Sequence, residues 1–216
     1  MKNTGKYANL MLMKKRITLL LTFYIFAQAM HAYEIKALLG FNSSKYLFSD
    51  STNSLEQQRK TGMNFGFGWV YKLNKNMKLE LNAMFNQKGA KVTITNTSVN
   101  VILGVYKNSS IGVPCFFKYQ FMEKASPYVA FGPEFVFIIS HHLFLPETNE
   151  DYNLGDMTKN FILGFNAVLG YEYPFEKWTL FAEVRYNNWI GSFLDDSQGT
   201  VKSDSFIFLI GGIYYL

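Results

Sequence analysis

The chain has 216 residues, 49% of them hydrophobic and 18% aromatic, with one cysteine (Cys115) and a formal net charge of +5. A single cysteine excludes an intrachain disulfide, and the length suits one domain. Lys2, Lys6, Lys14, Lys15 and Arg16 precede the first acidic residue, Glu34, and the rest of the chain carries 16 basic against 16 acidic residues, which excludes a nucleic-acid surface built on net charge.

The basic start has its own meaning. Met13-Lys14-Lys15-Arg16 leads into an apolar run from Ile17 to Phe26, and Ala27-Gln28-Ala29 supplies a small-residue cleavage site, with Ala32 as a second. This is the order of a secretory signal peptide. Residues 1–32 are expected to be a leader and cleaved signal peptide, and 33–216 an outer-membrane β-barrel domain. Met11 and Met13 are alternative starts. A membrane-anchor reading of 17–26 fails on length, because a spanning helix needs about 20 apolar residues. No cysteine follows the apolar run, so lipoprotein processing is not expected.

Beyond the leader, apolar and polar residues alternate. From Met63 to Lys72 the odd positions are Met, Phe, Phe, Trp and Tyr, and the even ones Asn, Gly, Gly, Val and Lys. Leu79, Leu81, Ala83 and Phe85 oppose Lys78, Glu80, Asn82, Asn86 and Lys88. Phe161, Leu163, Phe165, Ala167, Leu169, Tyr171 and Tyr173 oppose Gly164, Asn166, Gly170 and Glu172. Trp178, Leu180, Ala182, Val184 and Tyr186 oppose Thr179, Phe181, Glu183, Arg185 and Asn187. Period-2 alternation marks strands with two unlike faces. A soluble sandwich or lipocalin-like binder would alternate too, but two features favour a membrane. Aromatics gather at the strand ends beside short turns (Trp69, Tyr71, Tyr119, Phe121, Tyr128, Tyr171, Tyr173, Trp178), as in an interfacial girdle. Glycines on the polar face (Gly40, Gly66, Gly68, Gly132, Gly164, Gly170) suit a narrow, crowded lumen.

Connections run long, then short, in turn. The short ones lie at 73–76, 122–126 and 174–177, and the long ones at 49–61, 96–106, 143–159 and 191–204. Strands are expected at 33–48, 62–73, 77–95, 107–121, 127–141, 160–173, 177–190 and 205–216. Residues 95–104 are ambiguous, since Ile94, Val99, Val101 and Leu103 could extend the second hairpin above the membrane. The last strand has two apolar faces and no clear parity. The expected fold is all-β: an eight-stranded antiparallel up-and-down transmembrane β-barrel, with short turns and both termini on the periplasmic side.

Several short segments resemble the PorT-like outer-membrane β-barrel family. They are Phe85-Asn86-Gln87-Lys88-Gly89, Val113-Pro114, Phe131-Gly132-Pro133, Gly170-Tyr171-Glu172 and Glu183-Val184-Arg185-Tyr186-Asn187. The chain departs from the family pattern at Gly112, where an acidic residue commonly precedes Val-Pro, and at Leu216, where Phe is usual. The resemblance implies an eight-stranded barrel without a settled activity. The secretion link of the namesake does not pass automatically to a relative.

Parity predicts a lumen polar network of Lys78, Glu80, Lys118, Glu134, Glu172, Glu183 and Arg185, with Lys36, Lys72 and Lys88 facing the same way. Mixed charges in so small a barrel form a salt-bridged plug more readily than a pore or ligand site. Ser140-His141-His142 at the outer rim invites comparison with lipid A deacylase barrels, in which a base activates a serine. Ser140 and His142 share a face, but the sequence offers no evident carboxylate partner. Two adjacent histidines cannot converge on one metal ion. Asp50, Asp151, Asp156, Asp195, Asp196 and Asp204 read as solvated loop residues. The expectation is a non-enzymatic, monomeric envelope protein needing no cofactor. Its expected partners are outer-membrane lipid and lipopolysaccharide, the barrel-assembly machinery through the C-terminal strand, and envelope or secretion-machine proteins.

Overall fold

The computed structural model describes residues 34–48, 55–96, 99–122, 125–193 and 201–215. The expected leader, its cleavage sites and Leu216 lie outside the described residues. Eight long strands carry the fold: β1 Glu34–Phe48, β2 Leu55–Lys72, β3 Met77–Asn96, β4 Val99–Gln120, β5 Ser126–Leu145, β7 Phe161–Pro174, β8 Trp178–Ile190 and β9 Val201–Tyr215. A short β6, Glu150–Asn153, folds back on the outer end of β5. Each long strand pairs antiparallel with its neighbour, and β1 pairs with both β2 and β9, so the sheet closes on itself. Closure leaves no unpaired edge in lipid, where each unsatisfied backbone group would cost several kcal/mol.

Alternation sets the two faces. Ile35, Leu39, Phe41, Phe65, Phe67, Leu81, Phe131, Leu169, Leu180, Val184 and Ile210 are exposed on the outer wall. On β2 this apolar stripe runs from Met63 to Tyr71, about 20 Å along the membrane normal at ordinary strand rise and barrel tilt. Its upper limit follows a ring through Phe41, Met63, Phe85, Ile111, Ile139, Phe161, Tyr186 and Phe206. Above it the outward residues turn mostly polar (Ser43, Thr61, Gln87, Ser109, Ser140, Lys159 and Asn188), with Leu47 and Ile190 as exposed apolar exceptions. Tyr71, Tyr119, Phe121, Tyr171, Tyr173 and Trp178 are exposed at the turn end, where a girdle belongs. The first short turn is fixed locally, because Asn74 Oδ1 accepts from the backbone N–H groups of Asn76 (2.9 Å) and Met77 (2.8 Å).

The structure corrects two expectations and decides two points of parity. Two of the long loops are largely strand: β2 begins at Leu55 and β4 at Val99, and Asn96 pairs with Val99. Above the lipid a hairpin needs only backbone pairing; Ile94, Val99, Val101 and Leu103 hint at the second extension, and no comparable alternation marks the first. Tyr128 is not a girdle residue; it is 1% exposed and points into the lumen. Parity in β5 reverses at an irregularity where Ser109 pairs with Ser140 but Ser110 with Ile138, so His141 turns inward although Ile139 faces out. In β9 the parity left open resolves with Ile207, Leu209 and Ile213 inside and Phe206, Phe208 and Ile210 outside.

Candidate functional site: a filled lumen and its outer lid

Strands β3 and β8 stand on opposite sides of the ring, and their inward side chains meet. Arg185 Nη1 on β8 reaches Met84 Sδ on β3 at 3.0 Å, and Lys88 on β3 donates to Asn187 Oδ1 on β8. The lumen is therefore spanned by side chains.

Lys78, Glu80, Lys118, Glu134, Glu172, Glu183 and Arg185 are all buried, at 5% exposure or less. Six of them join one ionic mesh in the half nearer the short turns. Lys118 Nζ reaches Glu80 Oε1 at 2.7 Å and also pairs with Glu172. Lys78 reaches Glu172 at 3.3 Å. Lys36 bridges Glu80 at 3.0 Å and Glu183 at 3.1 Å. Arg185 Nε donates to Glu183 Oε1 at 2.7 Å, and Tyr128 Oη donates to Glu183 Oε2 at 2.5 Å. At the mouth, Glu34 takes Lys72 at 2.6 Å and Lys78 at 3.6 Å. Lys72 itself is exposed. Each buried carboxylate of the mesh thus faces at least one cation, which offsets the cost of desolvating both.

Glu134 stands apart from this mesh. Its carboxylate accepts from Asn166 Nδ2 at 3.1 Å and from Asn187. Across the barrel, Asn42, Asn64 and Asn86 form a donor–acceptor chain with 2.5 Å links. Gly112 shows why an acidic residue is absent there: a Cβ would lie 2.1 Å from Glu134 Oε1, so the carboxylate of β5 occupies that space. The ring of Tyr128 likewise lies over Gly170, 2.3 Å from where a Cβ would stand.

Above the asparagines sits a hydrophobic lid. Tyr46, Ala90, Val136, Ile162, Trp189, Phe193 and Val201 form one buried cluster. The Tyr46 and Phe193 rings lie 4.7 Å apart, and His141 packs edge-on against both, at 6.0 and 5.4 Å. Thr158 Oγ1 donates to Leu154 O at 2.7 Å, so its 2.8 Å contact with His141 assigns the proton to Nδ1. His141 Nε2 is left buried without a partner. Two connections hold the lid: Leu154 N–H donates to His141 O, and Lys159 N–H to Phe193 O, both at 2.8 Å.

Sequence reasoning missed Glu34, the lid and one contact at the rim. The parity of β1 and β8 carried the signal for Glu34, Tyr46 and Trp189, which share faces with Lys36 and Arg185. The rim contact crosses between elements: His142 Nδ1 lies 3.2 Å from Asp151 Oδ1 on β6. Ser140, His142 and Asp151 line one cavity of about 310 Å³, but among the described residues no hydrogen bond links Ser140 to His142. No group of three or more His, Cys, Asp or Glu among the described residues converges as a metal site would.

The family described as "Outer membrane protein beta-barrel domain" matches residues 26–193. Among solved structures, the chain is similar to outer membrane protein OprG of Pseudomonas aeruginosa. Identity is 13% and TM-score 0.51, covering 86% of this chain and 96% of that one. Neisserial surface protein A matches at 14% identity and TM-score 0.49, covering 84% and 97%. The outer membrane protease OmpT of Escherichia coli matches at 9% identity and TM-score 0.49, covering 85% and 96%. At such identities the likeness concerns the fold alone. No curated protein matches the sequence.

Proposed function

The chain belongs to the outer membrane protein beta-barrel domain family and is an outer-membrane protein, and from that premise we propose a non-enzymatic scaffold role in the cell envelope. A monomeric, plugged barrel presents its long hairpins outside the cell to protein partners of the envelope or of a secretion machine. The PorT-like resemblance favours the second kind of partner.

The observation that carries this reading is the side-chain bridge across the lumen, Arg185 to Met84 and Lys88 to Asn187, beneath the aromatic lid. A lumen closed at two levels supports binding at the surface over transport. Reconstitution in a planar bilayer tests it: the expected result is no resolved conductance step, and steady open-channel steps from the heat-modifiable barrel would replace the scaffold with a pore. Crosslinking in intact outer membranes should then recover a protein partner through the outer hairpins.

One observation favours a second reading, a lipid-modifying enzyme. The His142–Asp151 pair supplies the carboxylate that a serine mechanism needs, with Ser140 on the same cavity wall. Release of fatty acid from purified lipid A by the wild type, abolished in Ser140→Ala and His142→Ala, would establish it. Equal background release from all three would dismiss it.

A further inference from the structure

Directly above the apolar band, the wall formed by β2, β3 and β4 becomes cationic. Lys60 and Lys91 are half-buried there, and Lys107 is exposed. Among the described residues no carboxylate pairs with any of the three. The Lys60 ammonium reaches only Thr61 O, at 3.5 Å, and Lys107 lies over the Phe144 ring at 4.6 Å. Burial, then the charges of Lys107 and Lys91, hold Lys60 below the ordinary lysine value. Three cations crowded together without an anion among the described residues form a site that an anion would stabilise.

A cavity of about 310 Å³ opens beside them, lined by Lys60, Gln87, Lys107, Asn108, Ser109 and Ser140. Its one carboxylate, Asp151, is engaged by His142. The same strands carry Phe85, Ile111 and Ile139 on the lipid-facing wall just below the cavity. An anion with acyl chains would lay its chains on those side chains and its head among the lysines.

We propose that this cavity docks a phosphate group of an outer-leaflet lipid, with Lys60 and Lys107 on its wall and Lys91 beside them supplying the charge, and Ser109 and Ser140 the directional hydrogen bonds. Multiple donors around one phosphate give charge-assisted bonds stronger than neutral ones. The inference rests on the loop-rich rim facing outward, as in the scaffold reading above. A membrane-impermeant maleimide on Glu147→Cys in intact cells tests that orientation separately.

The test is native mass spectrometry of the full mature chain released from detergent, with purified lipid A as the probe. Wild type should retain it. The K60Q/K91Q/K107Q variant should lose affinity by roughly 10- to 100-fold. A K159Q/K202Q variant, which removes exposed charge elsewhere on the same collar, should bind as wild type. Folding of each is checked by the unboiled shift in SDS gels, and K107Q alone is read if the triple variant fails that check. Equal losses in the two multiple variants would reduce the site to general charge attraction and overturn it. Displacement by inorganic phosphate at the lipid's own concentration would show a soluble-anion site instead. Retention of lipid A stripped of its phosphates would show that only acyl contacts matter.

Discussion

Val184 and Arg185 are adjacent and face opposite media. Val184 is 40% exposed on the outer wall and Arg185 is 1% exposed in the lumen. Val184→Arg is expected to cost about 1–3 kcal/mol, because the guanidinium has no partner in lipid and Val184 lies between the midplane and the upper ring at Tyr186. Arg185→Ala strips Glu183 of its fork while Lys36 and Tyr128 remain, so a loss of about 3 kcal/mol is expected, at the lower end for a broken buried pair. Urea unfolding in detergent measures both. Spin labels that showed position 184 shielded from lipid and 185 exposed to it would shift the register by one. Gly112 gives a second residue-level prediction. Gly112→Asp places a carboxylate where Glu134 already lies, 2.1 Å from the new Cβ. It should lower the unfolding midpoint more than Gly112→Ala, which adds bulk without charge; the reverse order would mean that Glu134 swings away freely.

Within one element, the β5 irregularity at Ile138–Ser140 decides the chemistry of the outer rim. By turning His141 inward it gives the lid a titratable group, two residues above the last lipid-facing side chain, Ile139. Burial first, then the neighbouring His142, push the His141 imidazole down to about 4. Unfolded, the same ring takes its proton near about 6.5. The folded form therefore binds fewer protons between those values. The stability that comes with a neutral ring is fully present above about pH 6.5 and is lost as pH falls toward 4, by about 3 kcal/mol at most. Urea midpoints at neutral and acid pH, followed by the fluorescence of buried Trp189, should show this loss in wild type and a smaller one in His141→Asn. Parallel curves for the two would assign the acid sensitivity to another group.

For the whole molecule, closure depends on β9, which pairs with β1 from Glu34–Tyr215 to Phe48–Val201 and with β8 on its other side. Ile213, Tyr214 and Tyr215 cover Lys36, Ile35 and Glu34, the residues that open the barrel. Deleting Ile213 to Leu216 exposes that stretch of β1 to lipid with its backbone unpaired, at several kcal/mol per group. The deleted chain should be exported but not assembled, and degraded in the periplasm. Leu216→Phe should insert as well as wild type, and Leu216→Asp poorly. Membrane fractionation with boiled and unboiled SDS gels reads the outcome. A heat-modifiable deletion mutant in the outer membrane would mean that the barrel closes without this end.

What the chain determines by itself is whatever repeats locally. Alternation in Met63–Lys72 and Trp178–Asn188 assigns lipid and lumen faces, because the pleat allows nothing else. Parity alone places Lys78, Glu80, Lys118, Glu134, Glu172, Glu183 and Arg185 in one interior. The short turns at 73–76 and 174–177 set which strand ends lie together. Tertiary structure decided what alternation cannot carry. Phe206 to Tyr215 is apolar on both faces, and only pairing with β1 and β8 chose Ile207 and Leu209 for the inside. The β5 irregularity depends on register against β4, so the direction of His141 is invisible in Ser140-His141-His142. The split of the interior charges, six in one mesh and Glu134 over Gly112, depends on how far each side chain reaches across a closed ring. The same holds for His142 with Asp151 and for the lysines beside Ser109, which pair with no carboxylate among the described residues, because strand pairing and the β6 hairpin bring together residues distant along the chain.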